Sequence, residues 1–285
     1  MSAAEKPRSD VSFATSADGT RIAYEKVGSG PALVLVDGAM CARDFGPARD
    51  VAAVLQDRFT VYFYDRRGRG GSGDTEPYAP EREYEDLAAM LAATGEVPYV
   101  MGQSSGAALA LQAAASGVPM RALATYEAPY VGKRSGKGGR QLDYLGDLER
   151  LRAQGKRPQM AGYFMVQMVG GPWFLPLMMR MMPKVWKHLD GVAPTIVYDT
   201  RVMGAFEVPA DVLKRVAVPT IAIAGGKGAP AMLAAQEKIA AVVPGAEHRV
   251  LEGQTHQVSP QVLGPVLADF FARHGVEVPP RSAQV

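Results

Sequence analysis

Ser104 stands at the centre of Gly102-Gln103-Ser104-Ser105-Gly106, a GxSxG pentapeptide that follows the apolar run Tyr99 to Met101 and opens an Ala- and Leu-rich segment. A strand that runs straight into a helix must turn sharply. Small flanking residues permit that turn and leave the hydroxyl exposed at the strand end. The helix N-terminus adds free N–H groups and a positive dipole end at the same place. Ser104 is therefore predicted to be a nucleophile, the bland alternative being a glycine-rich turn without chemistry.

A serine hydroxyl is a poor nucleophile at its own pKa and needs a base within hydrogen-bond reach. The chain has four histidines. His188 lies beside Trp186 and Lys187, His248 begins a strand-like run, and His274 ends the last helix, where it suits the helix dipole. His256 lies in Glu252-Gly253-Gln254-Thr255-His256-Gln257, a loop leaving the last strand, and follows the serine in chain order.

The elements that must hold these residues follow from the hydrophobic pattern. Two β-like runs, Val11 to Thr15 and Ile22 to Val27, flank an Asp18-Gly19 turn suited to a tight hairpin, so the chain opens antiparallel. Continuous apolar runs then follow at Ala32 to Val36, Phe59 to Tyr64, Tyr99 to Met101, Ala122 to Tyr126, Thr220 to Ala224 and Arg249 to Leu251. Between them, helix-like spacing appears in Gly46 to Leu55, Glu83 to Ala93, Gly106 to Ser116, Ala231 to Val242 and Pro260 to His274. This alternation predicts an α/β fold with eight strands, mostly parallel and buried on both faces by helices. It breaks between about Tyr130 and Lys214, where strand-poor helical sequence intervenes. The expected organisation is a core of residues 1–130 and 215–285 with a helical cap inserted at 131–214. Gly132 to Gly139 reads as a mobile loop, and Pro279 to Val285 as a disordered tail.

The chain resembles the α/β-hydrolase superfamily over nearly its whole length. The resemblance rests on the antiparallel opening, the elbow at Ser104, the helical insertion after the sixth strand, the late histidine, and Asp65-Arg66-Arg67-Gly68-Arg69-Gly70-Gly71-Ser72, which matches the family's DxRGxGxS turn. That turn is expected to be structural, with an Arg-lined phosphate site as the alternative. The family places its catalytic base where His256 stands. Many members carry the third, acidic residue just beyond the seventh strand, but that loop reads Gly225-Gly226-Lys227-Gly228-Ala229-Pro230 and has no acid. Haloalkane dehalogenases and certain lipases draw their acid from the end of the sixth strand. Glu127 occupies that position here and is the expected acid, with Asp199 of the insertion, or a Ser-His dyad, as alternatives. The resemblance also implies an oxyanion hole from the backbone N–H groups of Ala39 and Ser105. Where relatives carry His-Gly this chain has Asp37-Gly38, and an ionised Asp37 aimed at the hole would oppose the charge it must stabilise.

Residues 160–182 hold seven of the chain's 14 methionines, together with Phe164, Trp173 and Phe174. Methionine adapts to varied apolar partners, so the expected substrate-contacting residues are Met40, Met165, Met168, Trp173 and Phe174, the bland alternative for the stretch being the loosely packed core of a small helical cap. No residue between Arg157 and Arg180 is charged, but Gly162, Gly170, Gly171, Pro172 and Pro176 would break a spanning helix, so the stretch is read as a lid.

The 285 residues carry 31 Lys+Arg against 29 Asp+Glu, a net charge of +2 that makes no electrostatic case for nucleic acid or membrane as partner. The single cysteine, Cys41, allows no internal disulfide and falls far short of a zinc-ligand set, so no metal is expected. The N-terminal residues lack the apolar core of a secretory signal, and a cytoplasmic location is expected. The predicted activity is hydrolysis of carboxylic esters with an apolar part, by a monomer or homodimer without cofactor. C–C bond or lactone hydrolysis, perhydrolysis, and ligand binding without turnover are the alternatives.

Overall fold

The structure is a computed structural model and describes residues 10–136, 139 and 141–275. The tail expected over Pro279 to Val285 lies outside them, as do residues 137 and 138 of the loop expected at Gly132 to Gly139.

Strands β1 (Ser12–Thr15) and β2 (Arg21–Gly28) pair antiparallel, with Ser12 opposite Tyr24. Their turn closes through Gly19, at φ +82°, while the Asp18 carboxylate accepts the N–H of Thr20 at 3.0 Å. Six further strands follow: β3 (Ala32–Val36), β4 (Thr60–Tyr64), β5 (Tyr99–Gln103), β6 (Leu123–Tyr126), β7 (Thr220–Gly225) and β8 (Glu247–Leu251). They form one eight-stranded sheet in the order β1-β2-β4-β3-β5-β6-β7-β8, antiparallel on either side of β2 and parallel elsewhere.

Burial on both faces follows from side chains that alternate along each strand. Leu33 and Leu35 of β3 join Phe59, Phe63 and Phe271 in one core layer, which packs on α1 (Ala48–Leu55) and the last helix, Pro260–Arg273. Val34 and Val36 face the opposite layer with Leu87, Met90, Leu109 and Leu111 of α2 (Pro80–Ala92) and α3 (Ser105–Ala115). The expected strands are therefore present. The first two helices start at Ala48 and Pro80, a few residues from the segments read in the sequence.

Between β6 and β7 the chain is helical: α4 (Tyr144–Ala153), α5 (Arg157–Tyr163), a π-helical turn at Phe164–Met168, α6 (Leu175–Arg180), α7 (Pro183–Val192), α8 (Ile196–Met203) and α9 (Ala210–Leu213). After β7 come α10 (Pro230–Val242) and α11, the last helix already described. The insertion has its own apolar cluster around Leu148, Met160, Leu189, Ile196 and Val197, which Met40 and Tyr78 of the core also join. No described helix is long and apolar enough to cross a membrane.

Candidate active site

Strand order places the site. β3 and β5 are neighbours although β4 lies between them in sequence, with Val36 opposite Gly102, so the loops leaving these two strands diverge and open a crevice at their C-terminal ends. β6 lies on the other side of β5, with Tyr126 opposite Gln103. Ser104 and Glu127 therefore leave neighbouring strands at the same level, and the loop after β8 reaches them from beyond β7.

Both residues are pinned in strained backbone. Ser104 has φ +56° and Glu127 φ +49°, a region in which a side chain costs about 1–3 kcal/mol. The N–H of Ser104 donates to Tyr126 O at 2.9 Å and that of Glu127 to Ile223 O at 3.0 Å, so hydrogen bonds to the adjacent strand hold each bend. The elbow packs so closely that a Cβ on Gly106 would lie 2.2 Å from Val36 O. On the facing loop, a Cβ on Gly38 would lie 2.7 Å from Ser104 Cβ. Only glycine fits at either position without displacing backbone.

The side chains form a relay. His256 Nε2 lies 3.2 Å from Ser104 Oγ, and His256 Nδ1 lies 2.7 Å from Glu127 Oε2. Glu127 is 1% exposed, and its other oxygen accepts the N–H of Gly225 at 2.9 Å. The His256 ring stays solvent-accessible. Its backbone carbonyl accepts the Gln103 side-chain N–H at 3.2 Å, and the neighbouring Thr255 carbonyl accepts the hydroxyl of Tyr126. The loop carrying the histidine is thus tied to β5 and β6. Gln103, to which the sequence assigned no role, supplies one of these ties.

The N–H groups of Ala39 and Ser105 donate to no group among the described residues. Asp37, two positions before Ala39, carries its carboxyl toward Gly46 and the start of α1. Its carboxyl lies against the N–H of Ala48 at the start of α1, and burial pushes its pKa up to about 7, against that N–H and the fields of Arg69 and Arg66. Burial also pushes the Cys41 thiol up to about 12, which leaves it without thiolate character at neutral pH.

Asp199 is placed away from His256. It is buried in an ion-pair cluster in which Arg66 Nη1 and Ser105 Oγ both donate to Oδ1 at 2.7 Å, while Arg69 Nη2 donates to Oδ2 at 2.7 Å. Burial alone would raise its pKa, but Arg69 and Arg66, helped by the Ser105 hydroxyl, hold the carboxyl below its ordinary range. The same arginines hold the loop after β3: Arg69 Nη1 donates to Gly38 O at 2.7 Å, and Arg66 Nη1 approaches Asp37 O at 3.4 Å. Asp199 is therefore an anchor beneath the elbow, and the structure removes it as the partner of His256. The DxRGxGxS turn is a framework: Asp65 accepts the N–H groups of Arg43 and Gly71, Arg66 is forked onto Glu83, and Arg67 onto Asp86. Arg66, Arg67 and Arg69 are at most 2% exposed, which closes them to a phosphate ligand.

His188, set aside in the sequence, contacts the loop after β3. From α7 its Nε2 lies 2.8 Å from the carbonyl of Met40, and its ring stacks on Phe45 at 3.9 Å. Met40 itself is buried and adopts φ +63°. Met165 and Met168 are half-buried at the insertion's apolar cluster. Trp173 and Phe174, by contrast, are 79% and 47% exposed, since Gly170-Gly171-Pro172 ends the preceding helical turn and carries them outward.

A family model for the alpha/beta hydrolase family matches residues 33–265. The chain belongs to that family. An alpha/beta hydrolase from Sphaerobacter thermophilus is 42% identical over 91% of this chain and 100% of its own, with a TM-score of 0.82. An esterase from a Rhodococcus species (20% identity, 93% of this chain and 99% of that one, TM-score 0.62) and an enol-lactonase from Burkholderia xenovorans (18%, 92% and 100%, TM-score 0.63) share the fold. In this alpha/beta hydrolase the last residue of β7, Gly225, supplies a backbone N–H to the carboxylate of Glu127. That contact is how a chain lacking an acid in the loop still sets a carboxylate behind His256.

Proposed function

We propose that the protein is a serine hydrolase that cleaves carboxylic esters with an apolar part through an acyl-enzyme. The observation that carries this reading is the Ser104–His256–Glu127 relay at 3.2 and 2.7 Å, with the N–H groups of Ala39 and Ser105 on the adjoining loop and elbow donating to no group among the described residues.

Ser104 Oγ attacks the ester carbonyl while His256 Nε2 takes its proton. Glu127 accepts the Nδ1–H, which holds the ring in the tautomer whose Nε2 is free to act as base and stabilises the imidazolium that forms. The carbonyl oxygen, now negative, lies against the N–H groups of Ala39 and Ser105, which need no reorganisation because the Asp199 cluster and the elbow already hold their backbone. The C–O bond breaks, and His256 passes its proton to the departing alcohol. Water then gives a proton to His256 and attacks the acyl carbon; the Ser104 ester bond breaks, and the proton returns to Ser104 as the acid leaves. Met40, Met165 and Met168 supply an adaptable apolar wall for the acyl or alcohol part.

The test is turnover of short p-nitrophenyl esters and labelling by a fluorophosphonate. Wild type is expected to turn over and to gain one probe mass at Ser104, with Ser104→Ala losing labelling and at least about 10⁴-fold in kcat. Wild type that neither turns over nor labels refutes the proposal and leaves a ligand-binding protein.

A further inference from the structure

Among the described residues twelve large apolar side chains are exposed, and seven of them fall between Val169 and Met182. Met181, Trp173, Val169 and Leu177 are the most prominent, at 80%, 79%, 63% and 61%. The segment from Pro158 to Met179 contains no charged residue. Scattered exposed apolar residues need no explanation, but a contiguous patch on one short segment marks a surface that something covers.

The rim of the patch is basic. Arg134 reaches Gly170, where a Cβ would meet its Nη1 at 2.4 Å. Arg180 lies 4.9 Å from the Trp186 ring, and Lys184 and Lys187 are exposed on α7. From Lys156 to Leu189 the chain carries five basic residues and no Asp or Glu, whereas Arg150 and Arg152, just before, are paired with Asp147 and Glu76. An apolar face with aromatic residues at its edge and a collar of unopposed positive charge matches the chemistry of a membrane interface: acyl chains for Leu177 and Met181, the headgroup boundary for Trp173, anionic headgroups for the lysines and arginines. A second copy of the chain is the poorer occupant, since a two-fold contact places each patch against its own kind and brings the two basic rims together. The α6 helix is six residues long, so the contact is a surface one and not a span.

We propose that the Val169–Met182 face of the insertion docks on anionic lipid surfaces. The expectation of no membrane contact came from the net charge of the whole chain, +2, which averages away this local collar. The proposal does not depend on ester hydrolysis, and binding is read without turnover.

The experiment is flotation of the full chain with vesicles of phosphatidylcholine, with and without phosphatidylglycerol, at low and high salt. Emission of Trp173 is followed in a Trp186→Phe background. The protein is expected to float with phosphatidylglycerol vesicles at low salt, with Trp173 emission shifting to the blue, and to be released by salt. Trp173→Ser/Leu177→Ser/Met181→Ser and, separately, Lys184→Glu/Lys187→Glu each lower the bound fraction at least about tenfold. Their melting temperatures, unchanged because all these side chains are exposed, show that the fold is intact. Absence of flotation at low salt overturns the proposal, as does equal binding to vesicles without phosphatidylglycerol. So does a dimer in sedimentation that the triple variant dissociates while no vesicle binds, which assigns the face to a second copy.

Discussion

Replacing Asp199 by Asn tests whether the insertion sets the stability and the geometry of the elbow. Asp199 is 3% exposed and is the single carboxylate paired with Arg69 among the described residues, whereas Arg66 keeps Glu83 at 2.6 Å. An amide of the same shape removes the charge and leaves the Arg69 guanidinium buried without an anion. Breaking one partner of a buried pair costs about 3–5 kcal/mol. For a chain of this size that corresponds to a melting temperature lower by about 5–8 °C. The loss depends on pH with a defined sign. Asp199 is held below its ordinary range, so the stability it contributes is present above the ordinary carboxylate pKa of about 4 and is lost as pH falls through the lower folded-state value. The difference between wild type and variant therefore narrows only in acid. Because Arg69 holds Gly38 O and Asp199 holds Ser105, the variant also loses kcat by about tenfold or more with little change in KM, as expected for a group felt mainly in the transition state. Calorimetry at neutral and acidic pH, with steady-state kinetics well below the melting temperature, reads both effects. A shift of less than about 3 °C at neutral pH would refute the view that Arg69 depends on this carboxylate.

Three further outcomes are expected. Glu127→Gln keeps the fold but loses about 10²–10⁴-fold in kcat, since the amide disturbs the tautomer of His256; an undiminished rate excludes Glu127 from the relay. Gly38→Ala inactivates while circular dichroism stays native, because its Cβ falls 2.7 Å from Ser104 Cβ; retained activity would mean that the loop relaxes freely. Asp37→Asn stabilises at pH 8: with the folded pKa raised to about 7, the unfolded chain releases this proton first and wild-type stability falls between about pH 4 and 7. The variant escapes about 2–4 kcal/mol of that loss, so denaturant titrations of the two proteins should converge near pH 4 and diverge by pH 8.

The sheet was legible in the sequence because its strands are unbroken apolar runs bounded by Gly, Pro or polar turns, and such runs suit only a layer covered on both sides. Ser104, His256 and Glu127 could be singled out because each ends or follows a strand, where the side chains that could meet are few. Asp199 was read only as a substitute acid. It lies 133 positions from Arg66, in a short helix whose sequence gives no sign that its polar side chain is buried, and ion pairs formed across that distance leave no periodicity to read. His188 escaped for a similar reason: its partner is a backbone carbonyl, at Met40, and carbonyls carry no residue signature. The apolar run at 158–179 was visible, but composition does not say which side chains turn inward, and Trp173 turns out.

The anchoring of Arg69 bears on how freely the insertion can be exchanged. The three relay residues all belong to the sheet and its loops, which at first sight leaves the helices between β6 and β7 open to replacement by those of another relative. Asp199 comes from those helices, however, and without it a cation is stranded beneath Ser105, the residue after Ser104. A chimera would have to deliver a carboxylate to the same point or replace Arg69 at the same time, so domain grafting in this scaffold is constrained at a buried ion pair as well as at the visible junctions.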